Sequence, residues 1–303
     1  MNPSHSIEFF NRYTGRIEPE SVYGLGFVRW TYETLAGRVS LHALAKRALF
    51  SRWYGWRMDR PASRAKVLPF IRDFGLDPAE FADAPESFRT FNEFFYRKLR
   101  PAARPIAPDP AAVFPADGRH LGFQDLSHTD GIFVKGAVFR LEELLQSTEL
   151  ATRYRSGALV ISRLCPVDYH RFHFPVAGVP DAARILPGPL YSVNPIALRQ
   201  NIHIFSQNKR ALSTVDSPAF GRVLLLEVGA TCVGSMEYTY APGQPVAKGA
   251  EKGFFKFGGS STITLFEPGR IRLADDLVAH SREHRELYAR MGDVMGAAEK
   301  LKA

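Results

Sequence analysis

The sequence has little cysteine and no long apolar run. Cys165 and Cys232 are its only cysteines, too few for a disulfide framework or a tetrahedral thiolate metal site. We therefore expect a reducing compartment, with both cysteines as small core residues. No segment approaches the roughly 20 apolar residues that a membrane-spanning helix needs, and the N-terminus lacks the apolar core of a signal peptide. The sequence thus predicts a soluble or peripheral protein.

Acidic residues are in the minority. The chain of 303 residues has 31 Asp and Glu against 39 Lys and Arg, a formal net charge of +8. That balance indicates an anionic partner, with nucleic acid and an acidic membrane surface as the leading candidates. Hydrophobic residues make up 45% of the chain and charged residues 23%, which is the composition of a globular protein.

Residues 1–105 show mainly helical patterns. Apolar residues recur at helical spacing in LHALAKRALFSRWYGWR. Further on, TFNEFFYRKL combines a capping box, Thr90 and Glu93, with a stripe of apolar side chains. These patterns predict amphipathic helices across the N-terminal third of the chain.

The same region concentrates basic and aromatic residues. Between Arg29 and Arg64 there are eight Lys or Arg residues and two acidic ones, and this window contains Trp30, Trp53 and Trp56, the three tryptophans of the protein. Basic helices that carry tryptophan suit the surface of an anionic membrane. An ordinary amphipathic helix with its aromatic rings in the protein core fits this stretch equally well.

Five prolines between residues 101 and 115 mark a change of pattern. From about residue 113 to residue 275, short apolar runs alternate with Gly, Pro, Asn and Asp, which is typical of strands. The tail from residue 273 onward has a helical pattern again. We therefore predict an α+β fold, with a helical, membrane-associating region over residues 1–105 and a compact β-rich domain with a C-terminal helix over residues 106–303.

Three stretches of the β-rich part hold reactive side chains. Asp117 lies in FPADGR, His170 and His173 lie in DYHRFHF, and Ser260 lies in the GGSS that interrupts an otherwise strand-like run. Two histidines three residues apart share one face of a helix or lie on opposite faces of a strand. No third ligand recurs at a useful spacing, so we expect no metal site.

Asp, His and Ser in one fold are the components of a catalytic triad. The chain has no G-x-S-x-G elbow of the kind that hydrolases use. Ser260 instead follows Gly259 directly, and a glycine there permits a strained backbone that exposes its own carbonyl to the serine hydroxyl. Attack on that carbonyl would give an ester, elimination at the serine would follow, and an N-terminal pyruvoyl group would be the final product. A lipid hydrolase that uses the same three residues and stays uncut is the rival enzyme.

Six segments resemble, in the expected order, those of the phosphatidylserine decarboxylases: TFNEFFYRKLRPAARPI, FPADGR, DYHRFHFPVAG, LYSVNPIAL, VGATCVGSM and KGAEKGFFKFGGSSTITLFEPG. The resemblance runs from roughly residue 50 to residue 270. The commonest family form of the cleavage motif is Leu-Gly-Ser-Thr, whereas this chain has Gly-Gly-Ser-Ser. Aligning Gly-Ser-Ser on Gly-Ser-Thr selects Ser260 rather than Ser261.

The resemblance implies a pyruvoyl-dependent carboxy-lyase that converts phosphatidylserine into phosphatidylethanolamine and CO₂ through a Schiff base. By position, Asp117 and His173 would be the acid and the base of self-cleavage, and Ser260 would become the pyruvoyl group. His170 would act in decarboxylation. The cut between Gly259 and Ser260 would leave a β chain and an α chain that remain associated.

The resemblance also implies partners and a location. We expect the substrate to be taken from a membrane by a peripheral protein at the cytoplasmic face of a bacterial inner membrane. We also expect a homo-oligomer. A nucleic-acid-binding protein is the rival from another class, but the sequence shows no recognised binding module. Retention on anionic liposomes and not on DNA at matched salt would separate the two.

Overall fold

The computed structural model describes residues 8–20, 26, 34, 48–128, 132–134, 137–193, 197–198, 203–230, 236–256, 258 and 260–299. Their strands are β1 (Glu8–Asn11), β2 (Arg16–Pro19), β3 (Ala111–Val113), β4 (Gly118–Phe123), β5 (Ile132–Val134), β6 (Ala137–Phe139), β7 (Ala158–Leu164), β8 (Arg171–His173), β9 (Val179–Pro180), β10 (Arg184–Leu186), β11 (Arg210–Ser217), β12 (Gly221–Val228), β13 (Met236–Tyr238), β14 (Glu251–Phe255), β15 (Ser260–Phe266), β16 (Ile271–Leu273), β17 (Glu286–Ala289) and β18 (Val294–Ala298).

The α-helices of these residues are α1 (Ala48–Met58), α2 (Val67–Phe74), α3 (Phe91–Phe95), α4 (Leu141–Leu145), α5 (Thr148–Tyr154), α6 (Ile204–Gln207) and α7 (Asp275–Arg282). Short 3₁₀ helices occupy Pro61–Lys66, Pro78–Glu80, Pro85–Ser87, Pro101–Ala103 and Leu126–His128. The predicted mixture of helices with a β-rich domain is confirmed.

A ten-stranded sheet organises the molecule. Its order is β10–β11–β12–β15–β7–β4–β17–β1–β2, with β9 pairing beside β11. Strand β15 lies between β12 and β7, and all seven of its residues are buried. Its alternate side chains enter two different cores, because Ile263 and Leu265 pack into one cluster and Phe266 into another. The prediction that STITLF is a strand is therefore confirmed.

A smaller sheet covers the end of β15 where Ser260 lies. Its order is β13–β14–β8. Phe172 of β8 and Phe255 of β14 pack with Leu164 of β7 in one apolar cluster. Leu164 pairs with Ser260 in the large sheet, so the start of β15 is enclosed between the two sheets.

Helices α1 to α3 form a separate aromatic layer. Phe70, Phe91, Phe94 and Phe95 are buried together in it. The side chain of Thr90 accepts a hydrogen bond of 3.1 Å from the backbone N–H of Glu93, which confirms the predicted helix start. No helix in the part of the chain that the structure describes is long and apolar enough to span a bilayer.

Two parts of the sequence-based prediction are confirmed for some of their residues and wrong for others. The region predicted as helical contains the hairpin β1–β2, and β1 pairs in parallel with β17. Over its described residues, 273–299, the tail predicted as helical has one helix, α7, followed by β17 and β18. His284, with a φ of 55°, follows that helix, and Leu287 and Ala289 then point inward at a spacing of two. Strands this short are hidden in the sequence by the charged residues around them.

Candidate active site

Ser260 is the first residue of β15 and is fully buried. Because side chains alternate along a strand, Ser260 and Ser261 point to opposite faces of the sheet. The Ser260 hydroxyl lies 3.5 Å from Nδ1 of His170. Within the described residues, the hydroxyl of Ser261 has no hydrogen-bond partner. Of the two serines in the motif, Ser260 is therefore the one that meets a histidine.

His170 is held in one orientation and one tautomer. Its Nε2 lies 2.8 Å from the carbonyl oxygen of Cys165, and since a carbonyl only accepts hydrogen bonds, Nε2 carries the proton. Nδ1 therefore presents a lone pair to Ser260. The ring stacks on Phe95 of α3 with centroids 3.9 Å apart. Burial lowers the pKa of His170 to about 3, so the imidazole is neutral at physiological pH.

His173 is hydrogen-bonded to groups other than Ser260. Its Nδ1 lies 2.9 Å from the carbonyl oxygen of Gly249, and its Nε2 lies 3.3 Å from the hydroxyl of Tyr169. Together with Tyr169 and Arg104, it lines a cavity of about 380 Å³. Three residues apart on extended backbone, the two histidines face opposite sides, and it is His170 that faces the serine.

Asp117 is buried and bound by an arginine. Arg104 donates to its two carboxylate oxygens at 2.9 and 2.6 Å, and the backbone N–H of Met291 donates at 2.9 Å. The negative charge of Asp117 opposes the burial that lowers the pKa of His173. Asp117 thus lies close enough to His173 to affect its pKa, while the hydrogen bonds of the described residues do not link Asp117, His173 and Ser260 to one another.

The backbone before Ser260 has a conformation that requires glycine. Gly258 has a φ of 134°, a region that residues with a Cβ rarely adopt. Gly259, the predicted source of the attacked carbonyl, lies outside the described residues. At this motif the described residues thus show one glycine-specific conformation, at Gly258, and the strain expected at Gly259 stays a prediction.

Comparison with known proteins identifies the family. A family model described as phosphatidylserine decarboxylase matches residues 91–297, a range that contains Asp117, His170, His173 and Ser260. The chain belongs to the phosphatidylserine decarboxylase family. A phosphatidylserine decarboxylase proenzyme of Desulfitobacterium hafniense (strain Y51) is 41% identical over 295 residues, which are 97% of this chain and 99% of that protein.

Two further relatives of this family have the same name. A phosphatidylserine decarboxylase proenzyme of Chlamydia trachomatis serovar L2 is 41% identical over 289 residues, 95% of this chain and 96% of that protein. One from Fusobacterium nucleatum is 39% identical over 291 residues, 96% of this chain and 97% of that protein. The similarity therefore extends over nearly the whole chain, including the N-terminal region.

Sequence reasoning about this decarboxylase fold missed several supporting groups. Arg104 binds Asp117, Tyr169 contacts His173, and Phe95 stacks on His170. Tyr169 and Phe95 lie in two of the quoted family segments, so their position was a usable signal. The carbonyl of Cys165 was not predictable, because a backbone group leaves no mark on the sequence.

Proposed function

We propose that this chain is a proenzyme that cuts itself between Gly259 and Ser260 and then decarboxylates phosphatidylserine to phosphatidylethanolamine. Family membership supports the reaction. The observation that carries the mechanism is the buried Ser260 hydroxyl at the head of a central strand, 3.5 Å from a neutral imidazole. A hydroxyl in that position has a proton acceptor and is shielded from bulk water.

The residues around Ser260 fit a pyruvoyl group made from that serine. The site is enclosed between two sheets. Gly258, two positions before Ser260, has a φ of 134°. When formed, the pyruvoyl group supplies an electrophilic carbonyl and an electron sink for the loss of CO₂. The chain itself supplies burial, orientation and proton transfer.

His170 is placed to take a proton from the substrate amine and to return one to the substrate carbon. The amine of the substrate arrives as an ammonium ion and has to lose a proton before it is nucleophilic. The lone pair on Nδ1 of His170 can take up that proton while Nε2 stays bound to Cys165. Because burial disfavours the imidazolium form, this uptake is transient, and the proton passes on to the carbon that has lost its carboxylate. This placement supports a role for His170 in decarboxylation.

We assign Asp117 and His173 to self-cleavage, as the resemblance implies. The charge of Asp117 favours the protonated form of His173, which is what a general base needs after it takes a proton. For this assignment His173 has to reach Ser260 in the uncut precursor, from a side chain now bound to Gly249 and Tyr169. The roles of the two histidines are therefore separable by experiment.

After the cut, the two chains should stay together because the sheet interleaves them. Strands β15 and β17 belong to the α chain, and in the large sheet both neighbours of each strand come from the β chain. We expect native mass spectrometry to find residues 1–259 and 260–303 as one particle, and denaturing conditions to separate them. The uncut Ser260→Ala protein is the control. Loss of the small chain during gel filtration would contradict the interleaved arrangement.

We propose that helix α1 contacts the membrane. Trp53 and Trp56 are 49% and 53% exposed, and Arg57 and Arg60 lie over their rings at 5.3 and 4.6 Å. Exposed tryptophans beside arginines suit the headgroup level of an anionic bilayer. The predictions for Trp30 and for residues 35–47 lie outside the described residues.

The double variant Trp53→Ala/Trp56→Ala is expected to bind anionic vesicles about tenfold more weakly or worse, since each ring loses apolar burial in the bilayer. Vesicle co-sedimentation measures the change. Ile185→Ala, at an exposed apolar residue of β10, is the control and should bind as the wild type does. Equal binding by the wild type, the double variant and Ile185→Ala would show that α1 does not contact the membrane.

Intact mass spectrometry with a parallel assay of CO₂ release tests the proposed function. We expect two chains, with the N-terminus of the smaller one converted from serine to pyruvoyl, together with conversion of phosphatidylserine. Activity from an uncut 33.9 kDa chain would contradict the proposal and favour a hydrolase that keeps its serine.

A further inference from the structure

Arg97 is a buried arginine whose hydrogen bonds are mostly unmade. It is 5% exposed, and its Nε has no partner within the described part of the chain. Its Nη1 makes one long contact of 3.5 Å to the carbonyl oxygen of Phe94. The guanidinium lies over the rings of Phe81 and Phe94 at 4.8 and 4.9 Å. Rings contact the faces of the guanidinium plane and do not satisfy the N–H groups at its edge.

Other buried arginines of the described residues have polar partners. Carboxylates bind four of them, and carbonyl oxygens bind the fifth; these arginines are Arg104, Arg119, Arg163, Arg171 and Arg210. Burial lowers the pKa of Arg97 to about 10, so it remains a cation at neutral pH. A buried charge without a partner is strongly destabilising. The surroundings of Arg97 therefore favour the binding of an anion.

The cation lies beside the reacting residues. Phe95, two positions before Arg97, stacks on His170, and the charge of Arg97 contributes to the low pKa of His170. The nearby carboxylates of Asp117 and Asp168 are already bound by Arg104 and Arg119. Since these carboxylates of the described residues are already paired, the geometry favours an anion that arrives from outside the protein, next to His170.

We propose that Arg97 binds the phosphate of the phosphatidylserine headgroup, an inference that rests on the proposed function. The phosphate is separated from the reacting amine by a short two-carbon spacer, so it lies near the site whenever the amine does. A guanidinium edge matches a phosphate in charge and geometry. The carboxylate is the poorer candidate, since a cation bound to the departing group would stabilise the ground state and slow its loss.

Kinetics in detergent mixed micelles test the inference without the influence of a charged bilayer. Arg97→Met should raise KM about 10- to 100-fold, the range for a lost hydrogen bond to a charged group, and change kcat little. Arg97→Lys keeps the charge but not the planar guanidinium, so its KM should lie between that of the wild type and that of Arg97→Met. Arg72→Met, at an exposed arginine of α2 in the same layer, should retain the wild-type KM.

Product inhibition separates phosphate from carboxylate. Phosphatidylethanolamine keeps the phosphate and lacks the carboxylate, so its inhibition constant should rise in parallel with KM in the Arg97 variants. An unchanged inhibition constant, or a fall in kcat with KM unchanged, would overturn the inference. If Arg97→Met does not fold and process, Arg97→Lys carries the test. Failure of the wild type to release CO₂ would instead defeat the proposed function itself.

Discussion

Ser260→Ala is expected to remain a single uncut chain of 33.9 kDa without decarboxylase activity. The change removes only the hydroxyl oxygen that faces His170, and that oxygen is both the nucleophile of self-cleavage and the precursor of the pyruvoyl group. Neither step has a substitute elsewhere in the enclosed site, so both readouts should fall to background. Intact mass and CO₂ release measure them on the same sample.

Ser261→Ala is the matched control, because the neighbouring serine differs from Ser260 mainly in the face of the sheet to which it points. Its buried hydroxyl has no partner among the described residues, and removing such a group costs little stability. We expect this variant to be cut and active. Cleavage that persists in Ser260→Ala and disappears in Ser261→Ala would place the cut between Ser260 and Ser261.

Much of this site was predictable because its residues lie in short, distinctive segments. The strand STITLF and the helix start at Thr90 also followed from local patterns, an alternation of period two and a capping box. The strands β1, β2, β17 and β18 did not, since they are stabilised by pairing with distant strands rather than by their own sequence. When only neighbouring residues are considered, the composition of these strands does not distinguish them from charged helices.

The division of labour between the histidines could not be predicted from spacing alone. A spacing of three allows one shared face on a helix or opposite faces on a strand, and only the pairing of β8 with β14 decides between them. Arg97 shows the same limit for charge. In the sequence YRKLR it looks like one of several surface cations, and only the folded chain brings the ring of Phe81 against its guanidinium.

Alanine at His170 and at His173 should produce two different defects. His170→Ala is expected to be cut normally but to turn over about 10²- to 10⁴-fold more slowly, the usual range for a lost general acid–base group. His173→Ala is expected to remain largely uncut, because the proposed base of self-cleavage is missing. Intact mass reports the cut, and CO₂ release per pyruvoyl group reports turnover separately.

Asp117→Asn gives an independent check on this assignment. If Asp117 supports His173, the neutral amide should slow the cut as His173→Ala does and leave the turnover of already processed sites much less affected. The reverse pattern would be an uncut His170→Ala and a normally cut His173→Ala. It would assign self-cleavage to His170, whose Nδ1 lies 3.5 Å from the Ser260 hydroxyl. In that event one imidazole would serve both steps, since a neutral Nδ1 facing Ser260 can accept the proton of the hydroxyl in the precursor and that of the substrate amine in the mature enzyme.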